Sequence, residues 1–346
     1  MSWTPAEINP VTDRRWAELA RGPSGSLFTS PLWLQVLARS YDLVPRATVL
    51  ARDGALVGGV AWVDVEDLKG VRRVALPFCD RADPMVGEGS WPAILDAVVP
   101  ADQPFTVRYL DSAGVADDER LHRVGALAWH ATEVHAGTDA TRRAALRPAA
   151  RRNLDASVRR GVTVRCRTDL AAVETFHRLH VGLRKQKYRL LAQPRLMFEH
   201  MWDAFADGQL VTALAEYDGE VIAGAVYLEW NGVLYYKFGA SDPASLTLRP
   251  NEAITWAALR WAAERGCHRL DWGVSDLDQP GLIRYKQKWA DDEGTVVVAR
   301  HDGPPPSAAQ TQASAMLGRL TELLTRPAVP DDITVAAGEL LYRHFC

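Results

Sequence analysis

The sequence predicts a mixed α+β protein built from two copies of one unit, each a mostly antiparallel sheet flanked by helices. Two three-strand meanders recur far apart, a helix-like segment precedes each, and a helix followed by a returning strand comes after the second. In the first meander the strand-like runs are RATVLAR, ALVGGVAWVDVED and VRRVALPFCD, separated by Asp53-Gly54 and Lys69-Gly70. In the second they are LVTALAEY, VIAGAVYLEW and VLYYKFGAS, separated by Asp218-Gly219 and Asn231-Gly232. Asp-Gly and Asn-Gly suit two-residue hairpins, because both central residues then take positive φ at low cost. Gly54 and Gly219 lie 165 positions apart, as do Gly59 and Gly224, while Gly70 and Gly232 lie 162 apart. That period is too long for a solenoid array.

The segments PLWLQVLARSY and RLMFEHMWDAF precede the two meanders at matching offsets. After the second meander, Asn251 can cap a helix through EAITWAALRWAAERG that Gly266 ends. HRLDWGVS reads as the returning strand. A Rossmann domain would alternate strand and helix throughout, and no Gly-x-Gly-x-x-Gly fingerprint is present. Linkers at His135–Pro148 and His301–Ser307 divide the chain into 1–145, 146–300 and a helical tail, 301–346, whose Leu and Met spacing predicts packing against the second unit.

The composition excludes several classes. With 47% hydrophobic and 24% charged residues in 346, the chain is an ordinary globular protein with room for large cores. No apolar run reaches a membrane-spanning length, and the first residues lack the pattern of a leader, so a cytoplasmic location is expected. Cys79, Cys166, Cys267 and Cys346 are too widely spaced for a zinc or dithiol motif and read as structural thiols. His177 and His180 share a helix face without the second pair a di-metal bundle needs, so they read as core or surface residues and no metal is expected. GPSGS at 22–26 lacks the closing glycine of a nucleophile elbow.

The net charge of -3 is uneven. Residues 142–195 hold 13 Arg and two Lys against Asp155, Asp169 and Glu174, net +12, which leaves -15 elsewhere. Such asymmetry points to an anionic partner, with a solvated face as the plain alternative. RRNLDASVRRG reads as a short helix with Leu154 and Val158 inward, Gly161 at its end, and Arg151 and Arg152 as candidate substrate contacts. On the next helix, Arg184 and Tyr188 stand four apart, so one face can offer a guanidinium and a phenol to a phosphate. GLIRYKQKW places Lys286 beside Tyr285 and Trp289, either as a surface residue whose stem covers the rings or as a functional cation, with Lys288 as its competitor.

From RRNLDASVRRGV to LIRYKQKW, the order of an Arg-rich helix, an Asp-Gly hairpin with VIAGAVYLEW, YYKFGAS, LRPNEAI, WAAERGCHRLDWG and GLIRYKQKW resembles the Fem family of peptidoglycan-bridge aminoacyltransferases and related GNAT acyltransferases. LFTSPLWLQVL and PFCDRADPM resemble it more loosely. The resemblance implies two tandem GNAT-like domains and an N-acyltransferase. It implies transfer of an aminoacyl group from aminoacyl-tRNA to the amine of a small peptide or cell-envelope precursor, with no bound cofactor. It also implies that Arg184, Tyr188 and Lys286 bind phosphate groups or the reacting centre.

The usual Arg/Gln-x-x-Gly-x-Gly/Ala loop that cradles the CoA pyrophosphate is absent, and SLTLRPNEAI stands in its place. Acyl-CoA is thus the alternative donor, held if at all by amides after Asn251. A catalytically silent tRNA- or nucleotide-precursor-binding protein is the third reading. Amide formation from an ester or thioester needs a proton acceptor and oxyanion stabilisation, for which Asp271, Glu229, Tyr235 and Tyr236 are candidates alongside the Lys286 cation.

Overall fold

A computed structural model describes residues 3–87 and 89–346. Twelve strands form one sheet: β1 (Trp3–Ile8), β2 (Arg46–Arg52), β3 (Ala55–Asp67), β4 (Gly70–Ala75), β5 (Phe105–Leu110), β6 (His122–Glu133), β7 (Thr163–Arg167), β8 (Leu210–Tyr217), β9 (Glu220–Trp230), β10 (Val233–Ser241), β11 (Arg269–Asp276) and β12 (Asp292–His301). Their order across the sheet is β1-β2-β3-β4-β5-β12-β6-β11-β10-β9-β8-β7. Among the described residues only β4/β5 and β10/β11 are parallel. Each parallel pair is joined by a crossover helix, Trp91–Val98 in the first half and Pro250–Glu264 in the second.

The duplicated meanders are β2-β3-β4 and β8-β9-β10. Asp53-Gly54, Asp218-Gly219 and Asn231-Gly232 all have positive φ at both residues, as type I′ hairpins require. The last strands change places between the halves. β6, from the first half, pairs with β11, and β12, the last strand of the chain, pairs with both β5 and β6.

One face of the sheet carries a core that runs through both halves, from Trp16, Phe28 and Trp33 to Phe176, Phe198 and Phe238. The other face carries separate cores under the two crossover helices. The helices that precede the meanders, Pro31–Tyr41 and Arg195–Ala204, pack on one another across the shared core. Tyr41 Oη donates to Met197 Sδ at 2.9 Å, Ser40 Oγ meets His200 Nδ1 at 3.0 Å, and Arg39 pairs with Asp203.

Several local expectations change. Asn251 does not cap the crossover helix, because Pro250 occupies its first position and Arg249 precedes it in a left-handed conformation. The Asn251 side chain instead accepts a hydrogen bond from Ser241 Oγ at 2.8 Å. Val158 is 56% exposed, while Ala150, Leu154 and Ser157 face inward from the helix Pro148–Arg159. β4 stops at Ala75, since Leu76 and Phe78 take positive φ and turn the chain out of the sheet. The tail packs on both halves: Lys185 pairs with Asp331, while Tyr342 stacks on Tyr41 and lies beside Phe78. No helix among the described residues is long and apolar enough to cross a membrane.

Candidate active site

The parallel pair β10/β11 is in register only at Val233/Arg269, Leu234/Leu270 and Tyr235/Asp271, and beyond these residues the two strands diverge. Each strand carries an irregularity where it leaves the other, between Tyr236 and Phe238 in β10 and between Asp271 and Val274 in β11. Next to this gap lies a cleft of about 490 Å³. Its floor is Gly224, Ala225 and Tyr227 from β9 with Tyr236, Gly239 and Ala240 from β10. Asn251, Ile254 and Thr255 of the crossover helix and Tyr285 of the helix Pro280–Gln287 form the opposite wall. Gly239 is needed on this floor, because a Cβ there would stand 1.8 Å from Tyr236 Oη.

Lys286 is 2% exposed, so its stem does not lie on the surface. Its ammonium donates to Val274 O at 2.8 Å and Gly273 O at 3.4 Å, the carbonyls of the irregular stretch of β11. Burial lowers its pKa to about 8, against the upward pull of Asp80, Asp271 and Asp276. A cation fixed at the point where two strands part can stabilise negative charge that develops on an acyl oxygen.

Asp271 is buried and accepts from three protein donors: Gly273 N at 2.7 Å, Trp129 Nε1 at 3.0 Å and Arg81 Nη2 at 3.1 Å. It does not line the cleft. Its geometry is that of a group holding the bend of β11 in place, with Arg81 bridging it to Asp83. Of the other proton-acceptor candidates, Glu229 pairs with Arg265, and Tyr235 is buried against Phe28 with its pKa raised by burial to about 12. Tyr236 alone of these three lines the cleft.

Arg184 and Tyr188 are separated in role by a π-helical turn, Arg184–Tyr188, that follows the helix Leu170–Leu183. Tyr188 lines the cleft, while Arg184 Nε donates to Leu191 O at 3.0 Å. Arg151 and Arg152 are exposed on the helix Pro148–Arg159 and do not line the cleft. That helix nevertheless borders the mouth. Asn153 Nδ2 donates to Glu252 Oε1 at 3.3 Å, and Arg160 Nη1 donates at 2.6 Å to Thr247 O in the turn Pro243–Leu248. Within the basic window, Arg142, Arg143, Arg165, Arg167, Lys185 and Arg195 pair with carboxylates. Arg147, Arg151, Arg152, Arg159 and Arg160, at and around the helix, have no carboxylate partner among the described residues. His177 and His180 both contact Gln193 in the core, and burial drives His180 down to about 3.

The N-terminus of the crossover helix contains a buried carboxylate, Glu252, neutralised by Lys288. Lys288 also sits 4.6 Å over the Tyr285 ring, so it belongs to this wall and not to the strand gap.

Sequence reasoning missed Asp80 and Lys237. Lys237, on β10, pairs with Asp80 at 2.8 Å and lies over the rings of Phe28, Trp33 and Phe238 at 4.8, 5.1 and 5.4 Å. Asp80 comes from the first half and presses on β11 so closely that a Cβ on Gly273 would stand 2.0 Å from Asp80 Oδ2. A lysine inside the apolar strand VLYYKFGAS was the available signal, since a buried ammonium needs a carboxylate brought from elsewhere.

Residues 140–287 match the acetyltransferase (GNAT) domain family. Among solved structures, the fold is similar to that of FemX, at 14% identity and a TM-score of 0.62 over 85% of this chain and 96% of that one. It is also similar to the C-terminal domain of a putative lysylphosphatidylglycerol synthetase from Agrobacterium fabrum, at 13% identity and a TM-score of 0.53 over 91% and 95%. A tandem GNAT protein from the clavulanic acid biosynthesis pathway aligns at 12% identity and a TM-score of 0.52 over 88% and 100%. No curated protein matches the chain.

Proposed function

We propose that this chain, a GNAT-superfamily acyltransferase by its 140–287 domain and Fem-like in its tandem fold, transfers an aminoacyl group from aminoacyl-tRNA to the amine of a small peptide or cell-envelope precursor. One observation carries the choice of donor. An arginine-rich helix whose guanidinium groups have no carboxylate partner among the described residues, apart from backbone contacts such as Arg160 to Thr247 O, flanks the mouth. A compact diphosphate is too short to engage guanidinium groups spread along a helix of 12 residues. A long polyanion can instead lie across Arg147, Arg151, Arg152, Arg159 and Arg160 and send only its acylated end inside. The match of residues 140–287 to an acetyltransferase domain supports acyl-CoA as the second reading.

In the proposed reaction the acceptor nitrogen attacks the ester carbonyl, and the carbon–oxygen bond to the ribose breaks. The proton lost by the amine passes to the departing oxygen or to solvent. In this reading Lys286, held on Val274 O beside the strand gap, supplies the cation that stabilises the developing oxyanion, and Asp271 is a positioning residue that fixes the backbone Lys286 grips.

The test is turnover of a labelled aminoacyl-tRNA with a peptide amine, followed by mass spectrometry of the product. Loss of product after RNase treatment is the expected result. Equal turnover with acyl-CoA and no tRNA would overturn this donor.

A further inference from the structure

Among the described residues, one fully buried side-chain polar atom of the cleft lining has no hydrogen-bond partner. Four tyrosines line it: Tyr188, Tyr227, Tyr236 and Tyr285. Tyr285 Oη is satisfied, lying 2.8 Å from Thr255 Oγ1 and donating to Asn251 O at 3.0 Å. Tyr236 Oη lies over Gly239. Tyr227 is different: it is 0% exposed, and its hydroxyl has no hydrogen-bond partner among the described residues. Its ring lies 5.5 Å from that of Tyr236, edge to face, and Tyr236 and Tyr285 are its first neighbouring titratable groups. Neither hydroxyl reaches it.

Most buried hydroxyls in folded proteins are paired, so an orphan on a residue that lines a cleft is a candidate partner for a ligand atom. The chemistry of that atom follows from the lining. Among the described residues no carboxylate lines the cleft, so nothing there is built to neutralise a cation. Lys187, the one cationic residue of the lining, belongs to the π-helical turn and not to the floor, so a deep anion has no partner either. A phenol both donates and accepts, which suits a neutral group that does the same.

We propose that Tyr227 is a specificity residue, and that the cleft takes an acyl group ending in a neutral hydrogen-bonding group, a hydroxyl or carboxamide, in preference to its aliphatic isostere. The inference rests on the acyltransferase reading but not on the carrier that delivers the acyl group.

The experiment uses isosteric donors on both carriers: threonyl- and valyl-tRNA, and 3-hydroxybutyryl- and 3-methylbutyryl-CoA, with the intact protein and one amine acceptor. The polar member is expected to win by about tenfold or more in kcat/KM on whichever carrier is used. In Tyr227→Phe the ratio should fall to within about threefold, chiefly through a higher KM for the polar donor. An unchanged ratio in Tyr227→Phe, or an aliphatic preference in the parent protein, overturns the proposal while leaving acyl transfer intact. Consumption of CoA donors alone removes the tRNA reading and still tests Tyr227. If none of the four donors is consumed, both fall. Because an orphan hydroxyl supports no protein contact, Tyr227→Phe should melt no lower than the parent protein, and a clear drop in Tm would show a protein partner and overturn the assignment.

Discussion

The two halves repeat one architecture and treat its central gap in opposite ways. In each, a parallel pair holds register for three residues and then diverges: Arg73/Phe105 to Ala75/Val107 in the first half, Val233/Arg269 to Tyr235/Asp271 in the second. The first half fills the space with its own chain. After Leu76 and Phe78 turn outward, Ala82 N donates to Arg108 O, Leu110 N donates to Asp83 Oδ1, and Met85 exchanges two backbone hydrogen bonds with Gly59. In the second half, the chain after β10 turns away through Pro243–Leu248 and the gap opens on a cleft. The segment that closes the first gap also supports the second, because it carries Asp80 to Lys237 and Arg81 to Asp271. A duplicated fold can thus convert one copy into the wall of the other.

This contrast is open to direct tests. The largest expected effect is on the filled half. Arg81→Ala strands Asp83 and Asp271, both buried, without their shared cation. Breaking such a network costs about 3–5 kcal/mol, which urea unfolding would register as a lower midpoint. If stability is unchanged, the first half is not the support described here.

Lys286→Met addresses the open half. Turnover should fall by about a hundredfold, the scale of losing one oxyanion-stabilising group, while the protein stays folded. Two opposite pH trends accompany it. With its native pKa at about 8, Lys286 loses its charge, and with it catalytic support, as pH rises through that value. Its ordinary pKa is about 10.4, so between the two values the unfolded chain holds a proton that the native chain has released. The stability of the parent protein relative to Lys286→Met should therefore rise across the same interval. A rate independent of pH in this range would remove the ammonium from the chemistry.

The smallest effect is expected at the rim. Arg152→Ala removes an exposed side chain, so stability should stay within about 0.5 kcal/mol. The salt dependence of tRNA binding should fall by about one unit of slope, measured by titration at several salt concentrations. An unaltered slope would place the polyanion elsewhere.

The local grammar of the fold was legible: the Asp-Gly and Asn-Gly turns, both helices preceding the meanders, and Gly161 and Gly266 with φ of +82° and +74° at helix ends. The site was legible in part. Tyr236 reaches the cleft lining, while Lys286 is buried beside the strand gap and outside that lining, so its role stays a proposal. Asp80 and Arg81 were not legible, because their meaning depends on contacts with Lys237 and Asp271, more than 150 residues away. The partition of Arg184 from Tyr188 was hidden for another reason: a π-helical turn changes the facing of side chains without a distinctive residue pattern.

The exchanged strands have a consequence for how the chain comes to be folded. Phe105 pairs with His301, and Val296 with both Leu110 and Leu127, so the middle of the sheet is made of segments that leave the ribosome far apart in time. The first half, once synthesised, still has the inner edge of β5 unpaired and waits for residues 292–301 to arrive. Folding domain by domain during synthesis is therefore interrupted at its midpoint, and the exposed edge is open to wrong partners for that interval. Closure by so distant a strand is slow, and it commits both halves together in one late step.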